Sequence, residues 1–408
     1  MDYSVYEIAA GINLNCFPSD NEGMSFLSVN ILSQLSRETA SLNAVLPFVL
    51  MKGTFSRTDG GALKTAMEAA GGMSVLPFSE KIGEIQSIGF RSAFPDAFLK
   101  PALSLLCELV SKPATRGGLL LPDYVSATCG ELAGKLSDSS PDLLERCTAE
   151  MCAYEDYAVS PQGEEEEVEG INYKKLSKHY KTLLQTAPVE LVYLGSADEK
   201  QLVSELRRGL NTLARSEIDY EMGTDVRLNS VEEEPRRVTA ASVDGLERTA
   251  LGYRFGENFF DLDHTVFELL AVLAGQKLRS DSQDRFSGIE VFNDCVKGIF
   301  AVAASAEDGE AKLDELFAGV LSAIAEGNFT DDELSAAKAE LARSYAALPA
   351  EPASFSRYVL SAVLSGREPD LEDDLAGLQD ISAAEVSAAA AGASPDLIYE
   401  ENTDADIG

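Results

Sequence analysis

The 408-residue sequence predicts an α+β fold of two homologous halves, each a mainly antiparallel sheet with helices packed on one face. Three observations predict it. Segments 117–133 (GGLLLPDYVSATCGELA) and 326–342 (EGNFTDDELSAAKAELA) align without gaps, at an offset close to half the chain length. Gly118 matches Gly327, Asp123 matches Asp332, and Glu131-Leu132-Ala133 matches Glu340-Leu341-Ala342. Each copy follows an apolar helical pattern, 98–110 and 313–324, which in turn follows strand-like sequence. Within each half, stretches of period two alternate with stretches of period 3.6.

In chain order, Ile12, Leu14 and Cys16 alternate with Asn13 and Asn15, as in a half-buried strand, and Leu27, Val29 and Ile31 repeat the pattern. Helices are expected over 39–51 and 61–70, and strands over 74–78 and 84–90. Leu99, Leu103, Leu106 and Val110 then make one apolar helical stripe. The second half opens with a strand at 249–255, a helix at 263–274 and strands at 290–292 and 298–304. Two helices follow, and Thr330 with Glu333 has capping-box spacing, which fixes the start of the second. These elements divide the chain into a first half (1–212), a polar linker rich in both charge signs (213–237) and a second half (238–408). The glutamate run 164–167 reads as a solvated loop, and the acidic tail 400–408 as a frayed end.

Composition narrows the function. Lys and Arg number 33 against 68 Asp and Glu, a net charge of −35. Such a surface repels phosphate backbones and anionic lipid, so neither a nucleic acid nor a membrane surface is the expected partner. The N-terminus lacks a basic segment followed by an apolar run, and no window of about 18 apolar residues occurs; the expected location is cytoplasmic. None of the six cysteines forms a C-x-x-C pair, and they read as small core residues in a reducing compartment. The two histidines, His179 and His264, are far apart in sequence, and neither sits in a ligand-spaced cluster. His179 reads as part of a surface helix, and His264 as a capping or packing residue. Neither a phosphate-binding P-loop nor a dinucleotide fingerprint is present.

The stretch SLNAVLPFVLMKGT, 41–54, resembles the zinc-helix region of the insulinase/pitrilysin peptidases, whose active members read like H-F-L-E-H-M-L-F-K-G-T. Leu46, Leu50, Lys52, Gly53 and Thr54 match in register. The inverted zinc motif H-x-x-E-H falls on 44–48, where Ala44 and Phe48 replace the two histidines and Pro47 replaces the glutamate. Alanine and phenylalanine offer zinc no donor, and proline cannot serve as the base on a zinc-bound water. The family's third ligand lies seven residues after another glutamate; here Glu131 is followed by Asp138 in that place, and both read as surface helix residues. Further similarity runs along nearly the whole chain, through CAYEDYAVSPQG, LVYLGSAD, LGYRF, VLAG and GNFTDDELSAAKAEL.

The resemblance implies the insulinase-like, mitochondrial processing peptidase-like two-half fold, with 39–51 as a degenerate zinc helix. It also implies a catalytically inactive homologue without cofactor or metal. The most similar subgroup is the non-catalytic member found beside an active sister and linked to elongation factor P modification. The implied role is a non-catalytic subunit that pairs with an active zinc metallopeptidase, or with a second copy, to enclose peptide or unfolded polypeptide. A stand-alone peptide-binding or scaffold protein is the alternative, ahead of an active endopeptidase with atypical ligands. Active members hold peptide with a second-half arginine-tyrosine pair, R-E-K-G-L-A-Y. That pattern lands on RFSGIEV, keeping Arg285 but placing Val291 at the tyrosine, with Phe292 one place off. They also add peptide to a first-half sheet edge, here 74–79 (SVLPFS), which makes Val75 and Phe78 candidate contacts. Pro77 in that strand fits an edge but cannot donate to a docked backbone.

Overall fold

The computed structural model describes residues 3–139, 141–227, 234–242, 245–256, 263–283, 285–306 and 312–402. The elements in chain order are β1 (Ser4–Ala9), β2 (Ile12–Pro18), β3 (Met24–Gln34), α1 (Ala40–Leu50), α2 (Gly60–Ala69), β4 (Ser74–Ile82), β5 (Ile85–Pro95) and α3 (Leu99–Ser111). Next come β6 (Thr115–Arg116), β7 (Leu119–Leu120), α4 (Pro122–Asp138), α5 (Leu143–Met151), α6 (Glu165–Glu169), α7 (Tyr173–Thr186), β8 (Val189–Gly195) and α8 (Glu199–Leu210). The rest are β9 (Arg236–Ala241), β10 (Arg248–Arg254), α9 (His264–Ser282), β11 (Phe286–Asp294), β12 (Ile299–Ala306), α10 (Leu313–Ala325), α11 (Asp331–Ala347), α12 (Pro352–Leu364), α13 (Leu371–Asp380), α14 (Ala383–Ala391) and β13 (Ser394–Asn402). No helix among the described residues is long and apolar enough to cross a membrane.

The two sheets share one topology. The first runs β4-β5-β3-β8-β2-β1 and the second β11-β12-β10-β13-β9. Both are antiparallel except for one parallel pair at the same place, β8 with β2 and β13 with β9. The repeated segment opens α4 and α11, each 17 residues long. The matched Gly118 and Gly327 both have φ of 75°, a left-handed conformation that costs a residue with a Cβ more than glycine. Thr330 and Glu333 form the expected box: the Thr330 N–H donates to Glu333 Oε2 at 2.7 Å, and the Glu333 N–H donates to Thr330 Oγ1 at 3.1 Å.

The compact units differ from contiguous halves by two helices. One unit comprises Met1–Ser140, Val159–Gly223 and Leu348–Pro369; the other comprises Pro141–Ala158, Thr224–Ala347 and Asp370–Gly408. In the first unit, α1, α3, α7 and α8 fill one face of the sheet, against Leu14, Leu27, Val29, Phe90 and Leu191. On the opposite face, α12 sets Phe355 and Val359 on Phe17, Phe26, Val192 and Leu194. The Phe17 and Phe355 rings meet edge to face with centroids 5.0 Å apart. In the second unit, α5 places Leu143, Cys147 and Met151 on Ala250, Ile299, Ala303 and Leu397. Helices α5 and α12 occupy the same place in the order of the two halves, directly after the repeated helix, and each completes the unit formed mainly by the other half's sequence.

This second covering layer corrects the reading of β2 and β3 as half-solvated strands. Asn15, Ser28 and Asn30 are buried. Their polar groups are satisfied within the sheet: Asn15 Nδ2 donates to Glu190 Oε2 at 2.7 Å, and Asn30 Nδ2 donates to the Glu190 carbonyl at 2.8 Å. The glutamate run is likewise no loop, because Glu165–Glu169 forms α6. The tail is ordered to Asn402, with Glu400 and Glu401 inside β13; 403–408 lies outside the described residues. Of the expected linker, 228–233 lies outside the described residues, while Arg236 and Arg237 open β9.

Candidate functional site

Helix α1 is apolar apart from Ser41 and Asn43, and its residues are buried except Phe48, which is partly exposed. A helix of this kind is a core element first. Ala44 is 3% exposed and presents only a methyl group. Pro47 lies in the helix interior, where it cannot donate to the Asn43 carbonyl. The expected third-ligand region gives no substitute. Glu131 and Asp138 both lie on the exposed side of α4, and Lys52 Nζ donates to Glu131 Oε2 at 2.8 Å. The ammonium already neutralises this carboxylate. These residues do not fit a zinc ion, and no hydrolytic step can be derived for them.

The matching residues have structural work instead. Thr54 is fully buried, and its hydroxyl donates to Glu108 Oε1 at 2.8 Å. The Ser56 N–H reaches the same oxygen at 2.9 Å, and Arg57 pairs with the other. Burial alone would raise the Glu108 carboxyl, but these donors outweigh it and hold it below the usual carboxylate range. At Gly53 a Cβ would lie 2.9 Å from the Thr58 carbonyl carbon, too close for any side chain without movement. The K-G-T tract thus ties the end of α1 to α3 and α4 and folds the following loop. Resemblance persists where the signature builds structure and stops where it does chemistry.

Beside α1 lies a polar cluster that the sequence did not reveal. His179, on α7, is partly buried rather than a surface residue. Its Nε2 lies 2.6 Å from Asn43 Oδ1, and Asn43 Nδ2 donates to Gln86 Oε1 at 2.8 Å and Ser33 Oγ at 3.0 Å. Gln86 Nε2 donates onward to the Pro161 carbonyl at 2.8 Å. Ser41, on the same helix, donates to Glu167 Oε2 at 2.6 Å, so part of the acidic run anchors α1.

The two candidate peptide contacts on β4 do not share a face. Strand β4 is an edge of its sheet, as expected, but Val75 and Phe78 are both buried. Three positions apart in an unbulged strand, they point to opposite faces and cannot line one groove. Arg91 stacks over the Phe78 ring at 4.2 Å, and the exposed apolar side chain of β4 is Leu76, at 64%. In the other unit, Arg285 folds back on the end of α9, where Nε donates to the Ser282 carbonyl at 3.0 Å and Nη2 to that of Asp281 at 3.2 Å. It caps a helix end. Phe292, on β11, packs beside the α5 layer.

No family model matches the chain. It is 24% identical over 382 residues, 87% of each chain, to the "Probable inactive metalloprotease YmfF" of Bacillus subtilis. The chain is thus similar in sequence to a probable inactive metalloprotease, and its zinc-motif positions carry Ala44, Pro47 and Phe48. Solved structures agree on the fold. A conserved protein from Enterococcus faecalis superposes with a TM-score of 0.83 at 16% identity over 100% of both chains. A peptidase M16 inactive domain from Pseudomonas fluorescens superposes at 0.76 with 16% identity, over 99% of this chain and 98% of that one. In this chain Ala44, Pro47 and Phe48 offer neither a zinc ligand nor a base at the positions of the motif it resembles. Among the described residues, one trio lies close enough to hold an ion, and it is elsewhere: His264, Glu268 and Cys295. The His264/Glu268 spacing on one helix face was readable in the sequence, but the approach of Cys295 depends on the β11–β12 turn.

Proposed function

We propose that this chain is a non-catalytic, cytoplasmic subunit that binds peptide or unfolded polypeptide and pairs with an active insulinase-type zinc peptidase, or failing that with a second copy of itself. One observation carries the reading: the two-half fold stands while Ala44, Pro47 and Phe48 occupy the zinc-motif positions, and β4 lies at the edge of its sheet. An edge strand recruits an extended chain through its backbone, which needs no zinc. Leu76 is the side chain of β4 most available to such a peptide, in place of Val75 and Phe78. The test is co-expression with a homologue carrying an intact H-x-x-E-H motif, followed by affinity capture and light scattering. A stable pair with peptidase activity above that of the active chain alone is expected. A chain that stays monomeric at high concentration, and leaves the active partner's rate unchanged, overturns the proposal.

A further inference from the structure

His264, Glu268 and Cys295 come from two elements. The first two lie one turn apart at the start of α9, and Cys295 follows the last residue of β11. His264 Nε2 is 3.2 Å from Glu268 Oε1, Cys295 Sγ is 4.0 Å from the same oxygen, and all three ligand atoms lie within 4.8 Å of one another. Tetrahedral zinc, with metal–nitrogen bonds of ~2.0 Å and metal–sulfur bonds of ~2.3 Å, holds its ligand atoms ~3.3–3.7 Å apart. The His264–Glu268 spacing already fits, the Cys295–Glu268 spacing must shorten by ~0.5 Å, and the third, at most 4.8 Å, by at most ~1.3 Å. We propose that these residues form a zinc site, outside the degenerate motif and independent of it.

The surroundings are those of a metal site. The Tyr345 hydroxyl donates to Glu268 Oε2, which leaves Oε1 turned toward the other two ligands. Asn293 Nδ2 donates to Cys295 Sγ at 3.6 Å and so orients the sulfur. All three side chains are partly exposed, so an ion can enter from solvent. A nitrogen, a carboxylate oxygen and a sulfur together suit zinc better than calcium or magnesium, which take oxygen ligands. On binding, the Cys295 S–H bond breaks, its proton leaves to solvent and the sulfur electron pair forms the metal bond. The imidazole must be neutral, so affinity falls in acid. Three protein ligands leave one tetrahedral position for water.

The test uses the full chain, stripped with a chelator and titrated with zinc or with cobalt. One equivalent per chain is expected, with a thiolate-to-cobalt charge-transfer band. Cys295→Ser abolishes that band and weakens zinc at least 100-fold, and His264→Gln weakens it at least 10-fold, with the circular dichroism of the metal-free parent retained. A second readout needs no variant. Cys295 is partly exposed while the other five cysteines are buried, so zinc should slow its alkylation, site-resolved by mass spectrometry, at least tenfold. Failure to bind one equivalent, binding unaffected by both substitutions, or alkylation of Cys295 indifferent to zinc overturns the proposal. Peptide cleavage by the loaded chain would instead overturn the inactive-subunit reading and leave this site standing.

Discussion

His179 Nε2 and Asn43 Oδ1, 2.6 Å apart, join α7 to the degenerate helix α1 by a bond whose direction is fixed. The Asn43 amide nitrogen is occupied by Ser33 and Gln86, so its oxygen accepts and the histidine Nε2 carries the proton. Burial, aided by Lys175, pushes the imidazole down to about 4.

A depressed histidine pKa means that the unfolded chain takes up a proton before the folded one does. The stability this neutral histidine contributes is complete above the unfolded value of about 6.5 and is lost as pH falls toward 4. His179→Gln, which can still donate to Asn43, should therefore lose less stability than the parent between pH 7 and pH 4.5. The gap is expected to be ~1–3 kcal/mol, read as urea midpoints at the two pH values. Parallel pH profiles for parent and variant would show that His179 protonates freely.

Within the other unit, Lys297 has no exposed surface and its Nζ lies 2.6 Å from Glu155 Oε2. Arg254 Nη2 donates to Glu155 Oε1 at 2.7 Å. Burial would raise the Glu155 carboxyl, but the two cations outweigh it and hold it below the usual range. Lys297→Met leaves a buried carboxylate with one cation fewer, and a loss of ~3–5 kcal/mol in urea unfolding is expected. A loss below ~1 kcal/mol would show that water replaces the ammonium.

Glu108 receives three donors from the loop after α1. Glu108→Ala leaves the buried Thr54 hydroxyl and the Ser56 N–H without that acceptor, and should cost ~2–3 kcal/mol by thermal or urea unfolding. The exposed Lys52–Glu131 pair is the contrast. Glu131→Gln is expected to change stability by less than ~1 kcal/mol, with an even smaller change in high salt.

Thr330→Ala removes the hydroxyl that accepts from the Glu333 N–H at the start of α11, and should cost ~1 kcal/mol. The same substitution tests whether the repeated segment folds by its own capping, because α4 begins instead with Pro122 in its first turn.

The sequence disclosed what is periodic or local. The alternation of Leu27, Val29 and Ile31, the stripe from Leu99 to Val110 and the Thr330 box all appear where their spacing puts them. The duplicated helix predicted one topology used twice. Long-range pairing was not legible. The asparagines of β2 and β3 look solvent-facing because nothing local shows that α12, hundreds of residues away, covers them, or that Glu190 satisfies them. Val75 and Phe78 both fall on the strand that the resemblance makes a sheet edge, but strand parity separates them. His179 looked exposed in a lysine-rich helix, and only tertiary packing brings it to Asn43.

The reciprocal placement of α5 and α12 has a consequence for cutting the chain in two. A gene cut at its midpoint would yield two products, each with a sheet stripped of one apolar cover, Phe17 and Phe26 bare in one and Ala250 and Ile299 in the other. Neither could stand alone in water, yet each would carry the missing lid of its twin. Two such pieces, each unfolded by itself, are expected to regain their sheets only when mixed.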